Sequence, residues 1–286
     1  MALRTYLRKQ AAALAGQVEG ARRFDVDAVH DMRVAARRLR STLRTFRPLL
    51  DRSRSEPVRA ELGWLSGQLG AVRDADVLAG ELLAAVHAEP PELLPGPVAA
   101  RLEQRLSADS AVARAALTGA LDSDRMARLL TDVQALVEDA PAVPGRRLRK
   151  YTTRALDRAD RELAAAFPST VDRRPSLDTV DDGALHEARK SYKRARYAVE
   201  LLGTPGSLRL ARRLTALQDL LGHYQDTVVA RALLRELGLR AQEQGENAFG
   251  YGLLHARQAA AADALEAALP ATWRRANRPK VRTWLG

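Results

Sequence analysis

The segment HDMRVAARRLR, residues 30–40, places one histidine and four arginines in eleven residues without strand-like alternation. A second segment, HEARKSYKRAR at residues 186–196, has the same layout. Both open on His and carry cations at offsets three, seven and ten: His30, Arg33, Arg37 and Arg40 in the first, His186, Arg189, Lys193 and Arg196 in the second. At about 100° per residue these offsets fall within an arc of roughly 80° on one helical face and extend about 15 Å along the axis. Each segment is a rail of positive charge, with Arg38 and Arg194, at offset eight, beside one edge. The opposite face is apolar: Met32, Ala35, Ala36, Leu39, Leu43 and Phe46 in the first copy, Ala188, Ala195, Val199 and Leu202 in the second. One face packs and the other meets charge.

A second shared element follows each rail. LSGQLGAVRDADVL (65–78) aligns with LQDLLGHYQDTVVA (217–230), which pairs Leu69-Gly70 with Leu221-Gly222 and Asp74 with Asp226. The His-to-Leu separations, 39 and 35 residues, differ by a short insertion in the intervening turn. An internal duplication is the simplest account. The expected fold is all-α: two pseudo-symmetric helical bundles, with long antiparallel helices around a basic cleft.

Composition agrees with the helical reading. The 286 residues are 46% hydrophobic and 28% charged, rich in Ala, Leu and Arg, with few β-branched runs. The formal net charge of +11 favours a polyanionic partner or an anionic membrane surface. Cysteine is absent, which excludes disulfides, thiolate nucleophiles and cysteine-ligated metals. Nowhere do eighteen apolar residues run together, and MALRTYLRKQAAALAG lacks a signal-type apolar core, so a cytoplasmic protein without an integral membrane segment is expected.

Helical periodicity is expected over residues 3–19, 28–50 with Asp27 as cap, 58–87, 98–117, 125–137, 146–167, 184–202, 207–237 and 247–269. Gly63, Gly67 and Gly70 interrupt the third of these, marking close packing or a bend. A turn is expected at 52–57 and a loop at 168–183. APAVPG (140–145) divides a first bundle, 1–140, from a second, 145–272, followed by a basic tail, 273–286. Tryptophans flank cations in that tail, as at a membrane interface, but Pro279 and its short length favour a disordered or domain-covering segment.

Arginine suits phosphate because its planar fork donates paired hydrogen bonds and its charge persists at physiological pH. Lys190 and Lys193 supply mobile point charges. His30 and His186 either donate to an oxyanion, with pH-dependent affinity, or serve as structural caps. Asp74 and Asp226 either orient arginines or lock the long helix to the basic one, and Gln225 in place of Arg73 predicts an asymmetric site. Arg4, Arg8, Lys9, Arg146, Arg147, Arg149, Lys150 and Arg154 extend the basic surface or are solvated. No HExxH or Walker loop is present, and the acidic spacing Asp74/Asp76 becomes Asp226/Val228 in the second copy, so neither catalysis nor a metal or cofactor is expected.

The two HxxR-x3-[RK]-xx-R helices and the LG-x3-D segments resemble the CHAD family, the conserved histidine α-helical domain, over about residues 3–270. The resemblance implies two helical bundles around a basic cavity, binding of inorganic polyphosphate and association with polyphosphate granules. It carries that role onto His30, Arg33, Arg37 and Arg40, and onto His186, Arg189, Lys190, Lys193, Arg194 and Arg196. Many relatives add a triphosphate-handling catalytic domain, whose spaced glutamates have no counterpart here, so the resemblance implies the non-catalytic binding module alone. Polyphosphate is a flexible polyanion, bound through many salt-dependent phosphate contacts. A basic cleft does not exclude DNA or RNA by charge, so weak non-specific nucleic-acid binding is the alternative; 5% aromatic content argues against sequence-specific RNA readout.

Overall fold

A computed structural model describes residues 2–166 and 182–285, and the described residues are helices and their connections, without strands. In order they are α1 Ala2–Gly16, α2 Val18–Arg22, α3 Val26–Thr45, α4 Arg52–Ala88, α5 Val98–Leu121, α6 Asp124–Glu138, α7 Gly145–Ala166, α8 Asp182–Leu202, α9 Pro205–Glu243, α10 Phe249–Ala276 and α11 Pro279–Arg282. The all-α class is as read from the sequence. The expected loop at 168–183 lies outside the described residues except for Asp182 and Gly183, which open α8.

Local chemistry sets several boundaries. Asp25, not Asp27, caps α3, accepting from the Ala28 amide at 2.8 Å. Asp51 accepts from the Ser53 amide and starts α4 six residues earlier than periodicity suggests, so the expected turn at 52–57 is helical and Pro57 falls in the second turn. Thr204 and Ser207 cap α9 reciprocally. The α4 glycines do not break the helix. Gly63 and Gly70 lie beneath arginine side chains of α3, whereas Gly67 faces open space.

Among the described residues, three apolar cores follow from the lengths of the helices. The first joins α1, α3, α6, the first half of α4 up to Val72 and the end of α5, and it receives Ala198 and Leu201 from α8. The second joins α7, α8, the first half of α9 up to Tyr224 and the end of α10. The distal parts of α4 and α9 overshoot these bundles. With the beginnings of α5 and α10 they enclose a third core, from Leu82, Val86, Leu102, Leu106, Leu234 and Leu254 among others. The two halves of the sequence thus meet twice: at this third core, and where α3 packs against α8.

The C-terminal segment covers the second core. The Trp273 indole donates to Tyr192 Oη at 2.9 Å, and Arg282 donates to both Asp160 oxygens at 2.5 and 3.2 Å. Trp284 lies over Gly206, where an added Cβ would come within 2.7 Å of the indole. We expect Gly206→Ala to lower the melting temperature by roughly 2–5 °C, reflecting about 1–2 kcal/mol of overpacking. Gly67→Ala, in open space at mid-helix, should raise stability by about 0.5–1 kcal/mol. Scanning calorimetry of both variants checks the contrast, and equal shifts would refute it.

Candidate anion-binding site

Packing of α3 on α8 brings the two rails together. Arg33 and Arg37 from the first meet Arg189 and Lys193 from the second closely enough that each group perturbs the ionisation of others in the cluster. Tyr197, buried on α8, organises the junction. Its hydroxyl accepts from Arg37 Nε at 2.9 Å, and the guanidinium groups of Arg38 and Arg196 lie 5.6 and 4.8 Å from its ring centroid.

The long helices supply the floor. Gly70 of α4 lies under Arg33 and Gly222 of α9 under Arg189, so the paired Leu-Gly motifs give each guanidinium a flat backbone to rest on. Asp74, one turn beyond Gly70, accepts from Arg33 Nη2 at 2.7 Å. Asp226, one turn beyond Gly222, is half-buried and acts on Arg189 by charge. Asp74 also serves the opposite repeat, acting on Arg189 and Lys193 as well as on its own Arg33.

Lys193 sits at the centre. Burial, followed by the charges of Arg189, Arg37 and Arg33, pushes its ammonium down to about 7 against the opposing pull of Asp74. Burial also lowers Arg33 and Arg189, though guanidinium groups stay charged at physiological pH. On the acidic side, burial raises the carboxyl of Asp226, and Asp74 adds to the effect. Glu81 of α4 is raised by burial and by Asp226, against the pull of His223.

Other residues singled out in the sequence are placed differently. Arg38 and Arg196 share Glu200, at 3.1 and 3.0 Å, so their charge is met internally. Arg40 lies exposed against Gly63, near Arg44 and Arg59. Lys190 pairs with Glu187 at 2.7 Å on the exposed side of α8. Arg194 points away from the central cluster, toward Arg44 and Arg158. His186 Nδ1 lies 2.8 Å from Gln225 Oε1, while His30 is exposed at the start of α3. Arg4 binds the Ala140 carbonyl at 2.8 and 2.5 Å and ties α1 to the end of α6, whereas Arg8, Lys9, Arg149, Lys150 and Arg154 are exposed. Two cations escaped the sequence reading. Arg44, at offset fourteen from His30, falls in the same arc as the first rail and would have been found by extending it one turn. Arg158 of α7 has no such signal.

The profile of the CHAD domain matches residues 5–235. This chain belongs to the CHAD domain family. Two Mycobacterium tuberculosis proteins, MT2285 from strain CDC 1551 and Rv2226 from strain H37Rv, are each 36% identical over 250 residues, covering 85% of this chain. The match takes in 47% of each relative, so the chain spans about half the length of these curated relatives. Among solved structures, PptA from Streptomyces chartreusis superposes with a TM-score of 0.80 at 29% identity, covering 96% of this chain and 98% of that one. The CHAD domain from the plant Ricinus communis gives 0.68 at 26%, covering 95% and 90%. No helix among the described residues is long and apolar enough to cross a membrane.

The depressed ammonium of Lys193 makes stability depend on pH. Below about pH 7 the amine is charged in folded and unfolded chains alike, and its burial, together with its confinement among guanidinium groups, opposes folding in full. Between about 7 and the ordinary value of 10.5 the folded protein sheds the proton while the unfolded chain keeps it, so the penalty is relieved as pH rises. Lys193→Met should therefore raise the melting temperature of the ligand-free protein at pH 6, in phosphate-free buffer, with a gain that shrinks toward pH 9. A pH-independent gain in calorimetry would contradict this.

Proposed function

We propose that this CHAD protein binds inorganic polyphosphate without chemically altering it, through the cation cluster at the α3–α8 junction. The observation that carries the reading is the convergence of Arg33, Arg37, Arg189 and Lys193, from two repeats, around two carboxylates. Four half-buried cations repel one another, and Asp74 and Asp226 offset only part of that repulsion. A chain of phosphates supplies the missing negative charge at close spacing, and guanidinium forks match its oxygens. His186, held by Gln225, and exposed His30 stand at the heads of the rails, where a bound chain would pass. Binding of this kind suits a cytoplasmic protein that associates with polyphosphate granules.

The central test is calorimetric titration of the folded full chain with long-chain polyphosphate over a range of salt concentrations, with duplex DNA and single-stranded RNA as competitors. Wild type should bind polyphosphate most tightly, with log affinity falling linearly in log salt. Arg37→Glu combined with Lys193→Glu should remove at least a hundredfold in affinity while retaining the wild-type helical circular dichroism. Equal affinity for the three polymers would reduce the protein to a generic polyanion binder, and no binding by wild type would end the reading.

Two refinements follow from the geometry. Asp74 competes with the ligand for Arg33 through an exposed ion pair, so Asp74→Asn should tighten binding by roughly two- to fivefold. A bound polyanion raises the Lys193 ammonium back toward its ordinary range, so binding near pH 7–8 should take up protons, read as a dependence of the binding heat on buffer ionisation enthalpy.

A further inference from the structure

The two rails end differently. Offset fourteen is Arg44 in the first repeat and Glu200 in the second. Glu200 lies between Arg38 and Arg196, pairing with both at 3.1 and 3.0 Å. Exchange the repeats, and these three positions become Arg44, Arg194 and Arg40. The structure assembles that second set too, with Arg44 acting on both Arg194 and Arg40. Where one half of the molecule has a carboxylate between two guanidinium groups, the other has a third guanidinium.

The surroundings of Arg44 deepen the imbalance. It lines a depression of about 180 Å³ between α3, α7 and α8, with Arg154, Arg158, Arg194, Tyr151, Thr45 and Ser191. Arg154 lies 5.4 Å from the Tyr151 ring centroid, and Arg44, Arg154 and Arg158 are exposed. The counter-charge is small. Glu162 is taken up by Arg158 at 2.6 Å and by the Ser191 hydroxyl, and Glu187 near Arg194 is paired with Lys190. Among the described residues no ion pair is made by Arg44, Arg154 or Arg194. A larger cavity of about 280 Å³ at the third core makes the contrast. It also presents three arginines, but Arg101 pairs with Glu246, Arg105 with Asp109 and Glu236, and Arg240 with Glu236. Arginines on a depression are therefore not all alike in this protein: one set is neutralised internally, whereas in the other only Arg158 is paired and Arg44, Arg154 and Arg194 make no ion pair among the described residues.

We propose that Arg44, Arg154, Arg158 and Arg194 form a second, compact anion site, in which a pyrophosphate-sized oxyanion takes the place that Glu200 fills in the other half of the molecule. The volume lies below the range of about 300–1,000 Å³ usual for drug-sized ligands, so the site suits one or two phosphoryl groups rather than a nucleotide. The Thr45 hydroxyl in the same lining adds a neutral hydrogen-bonding group beside the charges, while the buried Ser191 hydroxyl joins Arg194 to Glu162. On the rail-binding reading, on which the identity of the natural ligand rests, the occupant is an end of the phosphate chain. The first rail then leads out of the central cluster to a seat for that end, whereas the second rail terminates at Glu200.

The test is titration of the full chain with pyrophosphate, in metal-free and phosphate-free buffer, for wild type, Arg44→Glu, Arg44→Gln and the central Arg37→Glu/Lys193→Glu variant. Arg44→Glu rebuilds the Glu200 arrangement, so it should bind pyrophosphate at least tenfold more weakly and melt at a higher temperature without ligand. Arg44→Gln should give a smaller loss and keeps the test available if the charge reversal impairs folding. The central variant should retain saturable pyrophosphate binding. Wild-type pyrophosphate affinity in both Arg44 variants would overturn the proposal, as would loss of that affinity in the central variant alone. Long-chain polyphosphate, titrated in parallel, separates the two readings. Failure of wild type to bind the long chain with an Arg44-dependent pyrophosphate site intact removes the polymer and leaves the site, while the reverse pattern removes the site and leaves the polymer.

Discussion

Bringing like charges together in a partly desolvated junction is the constraint around which the rest of this molecule is arranged. Two unit charges of the same sign about 6 Å apart repel by about 3 kcal/mol at an effective dielectric of about 20, and a whole domain is stable by only about 5–15 kcal/mol. The α3–α8 contact places Arg33, Arg37, Arg189 and Lys193 in one cluster, so something else must hold those helices in place. The other faces do so. Met32, Ala35, Ala36, Leu39 and Leu43 bury α3 in the first core, and Ala188, Tyr192, Ala195 and Val199 bury α8 in the second. Each basic helix is clamped by its own bundle, and the charged faces meet because the bundles do.

The long helices explain why the acidic residues sit where they do. Along α4 the last side chain of the first core is Val72 and the first of the third core is Leu82; along α9 the corresponding residues are Tyr224 and Ala230. Asp74 and Asp226 fall in these intervals between the buried side chains of successive cores. The exposed Asp74 carboxylate costs little there, the half-buried Asp226 carboxylate is penalised by desolvation, and both face the guanidinium groups lying on Gly70 and Gly222. The recurring Leu-Gly-x3-Asp pattern is thus a junction between two cores as well as the floor of the cation cluster.

Much of this was legible before any coordinates, because helical period and duplication are local signals. The rails, the Leu-Gly-x3-Asp pairing and the all-α class depend on spacing alone, and spacing survives in a single sequence. What spacing does not carry is which cations a distant helix will neutralise. Arg38 and Arg196 look as available as Arg37 in sequence, yet both turn to Glu200. Arg4 reads as part of a basic surface, but its guanidinium binds the Ala140 carbonyl 136 positions away. The start of α4 was missed for a local reason, since Pro57 and the polar run before it resemble a turn until Asp51 is recognised as a cap. The third core was hidden because it forms only when two helices outrun their own bundles.

Duplication also explains why a symmetric sequence pattern need not give a symmetric site. A duplicated half begins with matched charges, and any position where one copy acquires an opposite charge becomes a closed ion pair while its counterpart stays open. Glu200 against Arg44 is one such position. Gln225 against Arg73 is another: the amide binds His186, whereas the arginine adds to the positive field on Arg33. Asp76 against Val228 is a third, since Asp76 pairs with Arg114 while Val228 packs against the second core. Glu200 closes one guanidinium of each rail, Arg38 of the first and Arg196 of the second, and Gln225 holds His186 at the head of the second rail, whereas Arg44 puts a third guanidinium where Glu200 puts a carboxylate. On the proposed binding mode, a ligand with two equivalent ends meets a surface that has a polarity, with Arg44 at one end and Glu200 at the other. That polarity arises from the protein alone, from single-residue divergence on a repeated scaffold, and it requires no change in the packing that brings the rails together.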